Sequence, residues 1–155
     1  ERSEWYTPFD GVTVSLSADG CLVIDAPAVH DGLLVTNDIA ELDGQRFRIL
    51  GRKDNVICSG GIKIQIEEVE RLLHPRLTQP FMITKAPETK FGEQVVLLTE
   101  SDDIDALRQA CREVLPKFWQ PRVFLTVGRL PMTETGKPAR KEAERMAYHA
   151  ITRKE

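Results

Sequence analysis

Two short segments hold most of the side chains able to do chemistry: GRKDNVICSGGIKI at 51–64 and LPMTETGKPARKE at 130–142. In the second, Lys137 follows a Thr-Glu-Thr-Gly turn and precedes a proline. Its ammonium is therefore a mobile cation on a defined hinge, suited to meeting an anion that arrives from elsewhere. In the first segment Arg52 offers a planar fork of donors that suits oxygen-rich ligands. Gly60 and Gly61 allow close backbone approach because neither carries a side chain. Lys63 is a candidate partner for a phosphate. Each residue also has a plainer reading. Lys137 is then a solvated lysine near a helix start, a poor place for a cation. Arg52 is a surface ion pair with Asp54, Asp54 an ordinary loop aspartate, Gly60-Gly61 a turn, and Lys63 an exposed strand residue. Cys58 reads as a half-buried thiol with no catalytic part.

The elements that must position these groups begin with two hairpins. Residues 12–16 and 21–26 alternate in strand fashion around Ala18-Asp19-Gly20. IAEL (39–42) and QRFRIL (45–50) flank Asp43-Gly44, a dipeptide that favours a two-residue type I′ turn. With those two residues in the turn, Asp38 falls across from Ile49, and Arg52 follows at the same open end. An acid and a base then share one mouth with an apolar shelf between them. The alternatives are a solvated aspartate at a strand start and an isoleucine that fills the core.

Beyond Gly51 the pattern changes. Short apolar runs at 55–58 and 62–64 precede a helical stripe over 66–74 (Ile66, Val69, Leu72, Leu73) that Pro75 ends. Strands are expected at 80–85 and 93–99. A helix over 102–115 follows, with Ser101 as N-cap. Then come a strand at 122–127, the Lys137 turn, and a last helix from about 138 with Pro138 near its first position. From residue 55 the order is β-β-α-β-β-α-β-α, an α+β domain. Residues 1–50 stand apart from it across a boundary at 51–54.

Composition narrows the function classes. Of 155 residues 41% are hydrophobic and 29% charged, as in a globular protein. Lys+Arg 21 against Asp+Glu 24, with both signs spread along the chain, leaves no basic face for nucleic acid. No apolar run is long enough for a bilayer. Three widely spaced cysteines outside any CxxC pattern point to a reduced, cytoplasmic setting and to no metal site. The start at ERSEWYTPFDG, without methionine, reads as a piece of a longer polypeptide.

TNDIAELDGQRFRILGRKDNVICSGGIKIQIEEVE together with LPMTETGKPARKE resembles the acyl-CoA synthetase, adenylation-domain and luciferase superfamily. The likeness is collinear over about residues 10–145. Within the superfamily, LGRKDNVICSGGIKI is most similar to the o-succinylbenzoate–CoA ligases of menaquinone biosynthesis. The resemblance implies that residues 1–50 are the last strands of a large amino-terminal domain, 51–54 the hinge and 55–155 a mobile lid.

It implies a role for each matched residue. Asp38 takes the ribose hydroxyls of ATP, although Asn37 stands where the family has glycine. Arg52 closes on the ribose or phosphate side, and Ile49 stands where many relatives place an aromatic residue against the nucleotide. Asp54 is the hinge, the Gly60-Gly61 loop lines the pantetheine passage of CoA, and Lys63 meets a phosphate of CoA or ATP. Lys137 is the catalytic lysine. The reaction implied is acid plus ATP to acyl-adenylate, then attack by CoA. The chain's own amino-terminal domain is its partner, and a small carboxylic acid its substrate. The phosphate loop, the acid pocket and the magnesium ligands belong to the part not present, so the chain alone is expected to be inactive. Two alternatives use the same residues: the lid of an adenylation domain that loads a carrier protein, and a non-catalytic interaction module of the same fold.

Overall fold

In the computed structural model, which describes residues 4–153, the first third of the chain is an antiparallel meander. Its strands are β1 (Thr13–Leu16), β2 (Cys21–Asp25), β3 (Leu33–Asp43) and β4 (Arg46–Arg52), hydrogen-bonded in that order. Alternation sends Val14, Leu22 and Ala40 to one face, where Ile24, Leu42, Phe47 and Ile49 pack against them. A 3-10 turn, Lys53–Asn55, ends this unit, and a second compact unit begins at Val56.

The register of the second hairpin differs from the expectation. Asp43 pairs with Arg46, so the turn residues are Gly44 and Gln45. A type I′ turn needs positive φ at both central positions. Asp43-Gly44 would have forced it on the aspartate. Here Gly44 alone takes it (φ 60) and no non-glycine residue does among those described, the arrangement of a type II′ turn. A register shift between Ile39 and Ala40 then places Ala40 opposite Ile49 and Asp38 opposite Arg52. Ile49 is therefore part of the small core and not a shelf between Asp38 and Arg52.

The second unit runs β5 (Val56–Ser59), β6 (Ile62–Gln65), α1 (Ile66–Leu73), β7 (Phe81–Glu88), β8 (Gly92–Thr99), α2 (Ile104–Val114), β9 (Val123–Thr126) and α3 (Arg140–Thr152). This is the expected α+β order. β8 is central. It pairs antiparallel with β7 along its whole length, parallel with β9 over Val96–Thr99, and with β5 at Gly92. One face sends Ile83, Val95 and Leu97 against Val69 and Leu73 of α1 and Leu107 and Cys111 of α2. The other sends Met82, Val96 and Leu98 against Ala143 and Ala147 of α3. Both faces are covered, which is why β8 reads as the unbroken apolar run VVLL. Each of its leucines, fully buried, contributes about 1.5–3 kcal/mol.

Two helix starts also differ. α2 is capped by Asp103, whose carboxylate accepts from the Ala106 N–H (3.2 Å). Ser101 does not cap, because its Oγ accepts from the Asp103 N–H (3.1 Å). α3 begins at Arg140 and not near Pro138. A β-bridge between Met132 and Pro138, with Ala139 N–H donating to the Pro131 carbonyl (3.0 Å), keeps 137–139 extended.

Candidate functional site

On the first unit, Arg52 Nη1 donates to Asp38 Oδ1 at 3.0 Å across the β3–β4 pair. The surface ion pair offered as the plain reading of Arg52 therefore exists, with Asp38 as its partner. Thr36 fixes the aspartate's backbone: its Oγ1 accepts from Asp38 N–H (3.2 Å) and donates to the Leu22 carbonyl (2.7 Å). The pair is half open to solvent, with side chains 55% and 32% exposed, so it contributes about 0–1 kcal/mol. A ligand bearing two adjacent hydroxyls can displace it at little cost, since a carboxylate accepts from both. Asp54 lies exposed in the 3-10 turn that closes this unit, beside Lys53, whose ammonium meets Asp19 at 2.9 Å. The Asp19 contact holds the Lys53 ammonium charged, by hydrogen bond and then by charge.

On the second unit, Gly60 and Gly61 form the β5–β6 turn, both at positive φ (57 and 83). That combination is the type I′ turn that needs glycine or asparagine at each centre. Gly60 is pressed against Phe91. Its N–H donates to the Phe91 carbonyl (2.9 Å), and a Cβ built on it would stand 3.1 Å from Phe91 Cδ1. Gly61 faces open space. The turn borders a cavity of about 330 Å³ that the sequence reading did not anticipate, lined also by Lys117, Phe118 and Arg122. Phe118 is 66% exposed, and the Arg122 guanidinium lies 4.3 Å above the Phe91 ring. An exposed aromatic face with cations beside it can stack a flat ring and meet an anion. The only signal for it in sequence was KFWQPR, just past the end of α2.

Lys63 is exposed on β6 opposite Cys58. Cys58 is exposed too, against the expectation of half-burial, because Ile57 and Ile64 hold the core-facing side of that hairpin. The third group, Lys137, crowns a hairpin whose stem is well held. Thr133 N–H donates to the Lys137 carbonyl (2.7 Å), Lys137 N–H to Thr133 Oγ1 (3.1 Å), and Gly136 N–H to the Thr133 carbonyl (3.0 Å). The backbone is thus fixed while the side chain is exposed. Among the described residues no acid or hydrogen-bond partner meets its ammonium. A braced turn with an unspent cation is an anion-seeking group. The structure joins Asp38 to Arg52. It keeps the Gly60-Gly61 turn and Lys137 on separate hairpins of the other unit.

No family model matches the chain. Curated relatives do. It is 38% identical over 116 residues to the 2-succinylbenzoate–CoA ligase of Salmonella typhimurium, a match over 70% of this chain and 24% of that protein. It is 32% identical over 110 residues to surfactin synthase subunit 1 of Bacillus subtilis, covering 68% of this chain and 3% of the relative. Among solved structures, wild-type E. coli MenE with a bound analogue of OSB-AMS superposes with a TM-score of 0.67 at 28% identity, over 91% of this chain and 35% of that one. The chain thus spans about a quarter of the length of the ligase it matches. It is a member of the acyl-adenylate-forming enzymes, homologous to the carboxyl-terminal part of the 2-succinylbenzoate–CoA ligases and related acyl-CoA synthetases.

Proposed function

We propose that this chain is the carboxyl-terminal part of an ATP-dependent acid–CoA ligase, with o-succinylbenzoate as the acid, acting in the cytoplasm in menaquinone biosynthesis. Residues 1–50 are the end of the large domain, Asp54 is the hinge, and the unit from Val56 is the lid. In the first step the carboxylate attacks the α-phosphate of ATP, pyrophosphate leaves and acyl-AMP forms. Charge grows between the acid oxygen and the α-phosphate, where the Lys137 ammonium is worth more in the transition state than before it. Asp38 holds the ribose hydroxyls and Arg52, released from it, closes on the ribose or phosphate oxygens. In the second step the lid turns, the thiol of CoA attacks the acyl carbon, and AMP leaves. The Gly60-Gly61 turn admits pantetheine, and the Phe118, Lys117 and Arg122 cavity beside it takes the nucleotide end, with Lys63 as a further phosphate partner. Magnesium is assigned to residues outside this chain, and no step here runs through it.

The observation that carries this reading is the presence, in one small unit, of an unspent ammonium on a braced turn and of a two-glycine turn opening on a cationic cavity. The test is AMP release by the full-length protein, which should require o-succinylbenzoate and CoA together. No release with any carboxylic acid would contradict it. The match to surfactin synthase favours one second reading, an adenylation domain that loads a carrier protein. Transfer to a phosphopantetheine-bearing carrier in place of CoA would select it.

A further inference from the structure

Arg140, the first residue of α3, reaches back to Glu70 on α1 and grips it with both arms of the guanidinium. Nη1 donates to Oε2 (2.8 Å) and Nη2 to Oε1 (2.6 Å). Glu70 is only 9% exposed. Its Oε2 also accepts from the Ile83 N–H (3.0 Å), while Arg140 Nη1 approaches the Ile83 carbonyl (3.4 Å). β7 is the edge strand of its sheet, and at Ile83 an edge strand would otherwise leave its outward backbone groups unpaired. The ion pair supplies both missing partners. Helix α1, strand β7 and the start of α3 therefore meet at one doubly bridged contact.

Three residues before Arg140 stands Lys137, and the intervening chain is the extended stem held by Pro131, Met132 and Thr133. We infer that Glu70 and Arg140 are a positioning pair that aims the Lys137 turn for the acid-activating step; this rests on the ligase reading above. A buried ion pair rarely adds more stability than well-packed apolar side chains of the same volume. What a bidentate fork adds is a fixed direction. How well a cation stabilises a developing anion depends on where it is held, so the fork acts on rate more than on folding.

Two measurements test this. In hydrogen exchange on the chain itself, Arg140→Gln should speed exchange in a peptide spanning 131–139 about tenfold and leave one spanning 104–114 of α2 unchanged. Arg140→Lys, which keeps the charge and loses the fork, should show the same contrast at smaller size. Equal acceleration in both peptides would overturn the inference. In the full-length protein the double variant Glu70→Met with Arg140→Met, which keeps the contact filled, should form acyl-AMP at least about tenfold more slowly. Its thioester formation from supplied acyl-AMP should stay within about threefold. Undiminished acyl-AMP formation in that variant would overturn the proposal. A wild-type protein that makes no acyl-AMP would overturn the ligase reading and the catalytic half of the inference with it, and the exchange contrast would still decide the positioning half.

Discussion

Asp38 and Arg52 stand directly opposite each other on β3 and β4, Oδ1 3.0 Å from Nη1. Each of the two residues expected to bind nucleotide is therefore paired with the other. The exchange is cheap because the pair is half exposed. Asp38→Ala should change the stability of the chain by less than about 1 kcal/mol in urea unfolding. In the full-length protein the same variant should weaken ATP binding by about 10–100-fold, since a charged acceptor of two hydroxyls is lost. Loss of stability without loss of nucleotide affinity would make the pair a brace only.

Gly60 and Gly61 separate two effects that a single substitution would mix. Gly60→Ala meets Phe91 and a positive φ together, so it should cost about 1–2 kcal/mol of stability. Gly61→Leu has open space but the same backbone handedness. In the full-length protein it should slow thioester formation from acyl-AMP at least about tenfold and leave acyl-AMP formation within about threefold. Equal slowing of both steps would mean that the turn only holds the fold.

The cysteines give a check on the second unit that needs no substrate. Cys58 is exposed, whereas Cys21 and Cys111 are buried. Burial raises the Cys111 thiol from 9.0 to about 11. At pH 8 a thiol reagent should label Cys58 alone in the native chain and all three after unfolding, because the thiolate is the reacting form. The linkage has a definite sign. Above the ordinary thiol range the unfolded state loses the Cys111 proton and the folded state keeps it. Stability should therefore fall with pH between about 9 and 11. Native labelling of Cys111 at a rate close to that of Cys58 would contradict the packing of α2.

Much of this is legible in the sequence. The order β-β-α-β-β-α-β-α follows from apolar spacing and from prolines, and TETGKP announced a braced lysine turn. What escaped was decided by contacts distant in sequence. The register at Asp38 depends on one bulge and on which turn residue carries positive φ, and a shift of that size moves Ile49 into the core. Pro138 suits a helix start, but its bridge to Met132 delays α3 to Arg140. The cavity beside Gly60 draws on Lys117, Phe118 and Arg122, more than fifty residues downstream of the glycines, where KFWQPR gives no sign of what it packs beside. The Glu70–Arg140 fork joins residues 70 apart, and either one alone reads as a helix surface charge.

The chain by itself should make no acyl-adenylate. It spans 24% of the Salmonella ligase it matches, and a phosphate loop is not among its residues. Incubated with ATP, magnesium and o-succinylbenzoate, it should release no pyrophosphate above a Lys137→Ala control. Limited trypsin digestion should cut first near exposed Arg52 and Lys53, where the two units adjoin in sequence. Turnover above the control, or a first cut inside α2, would count against the division of labour proposed here.

The most direct test is a pair of single-turnover assays on full-length protein carrying Lys137→Ala. One begins with ATP and acid and follows acyl-AMP; the other begins with acyl-AMP and CoA and follows the thioester. The proposed function sets Lys137 at the charge that develops on the α-phosphate and has it carried away when the lid turns. The first assay should therefore lose about 100–1000-fold in rate, as when a charge-stabilising donor is removed, and the second should stay within about threefold. Equal loss in both assays would reduce Lys137 to a structural residue. An unchanged first assay would show that the braced ammonium is not the group that activates the acid.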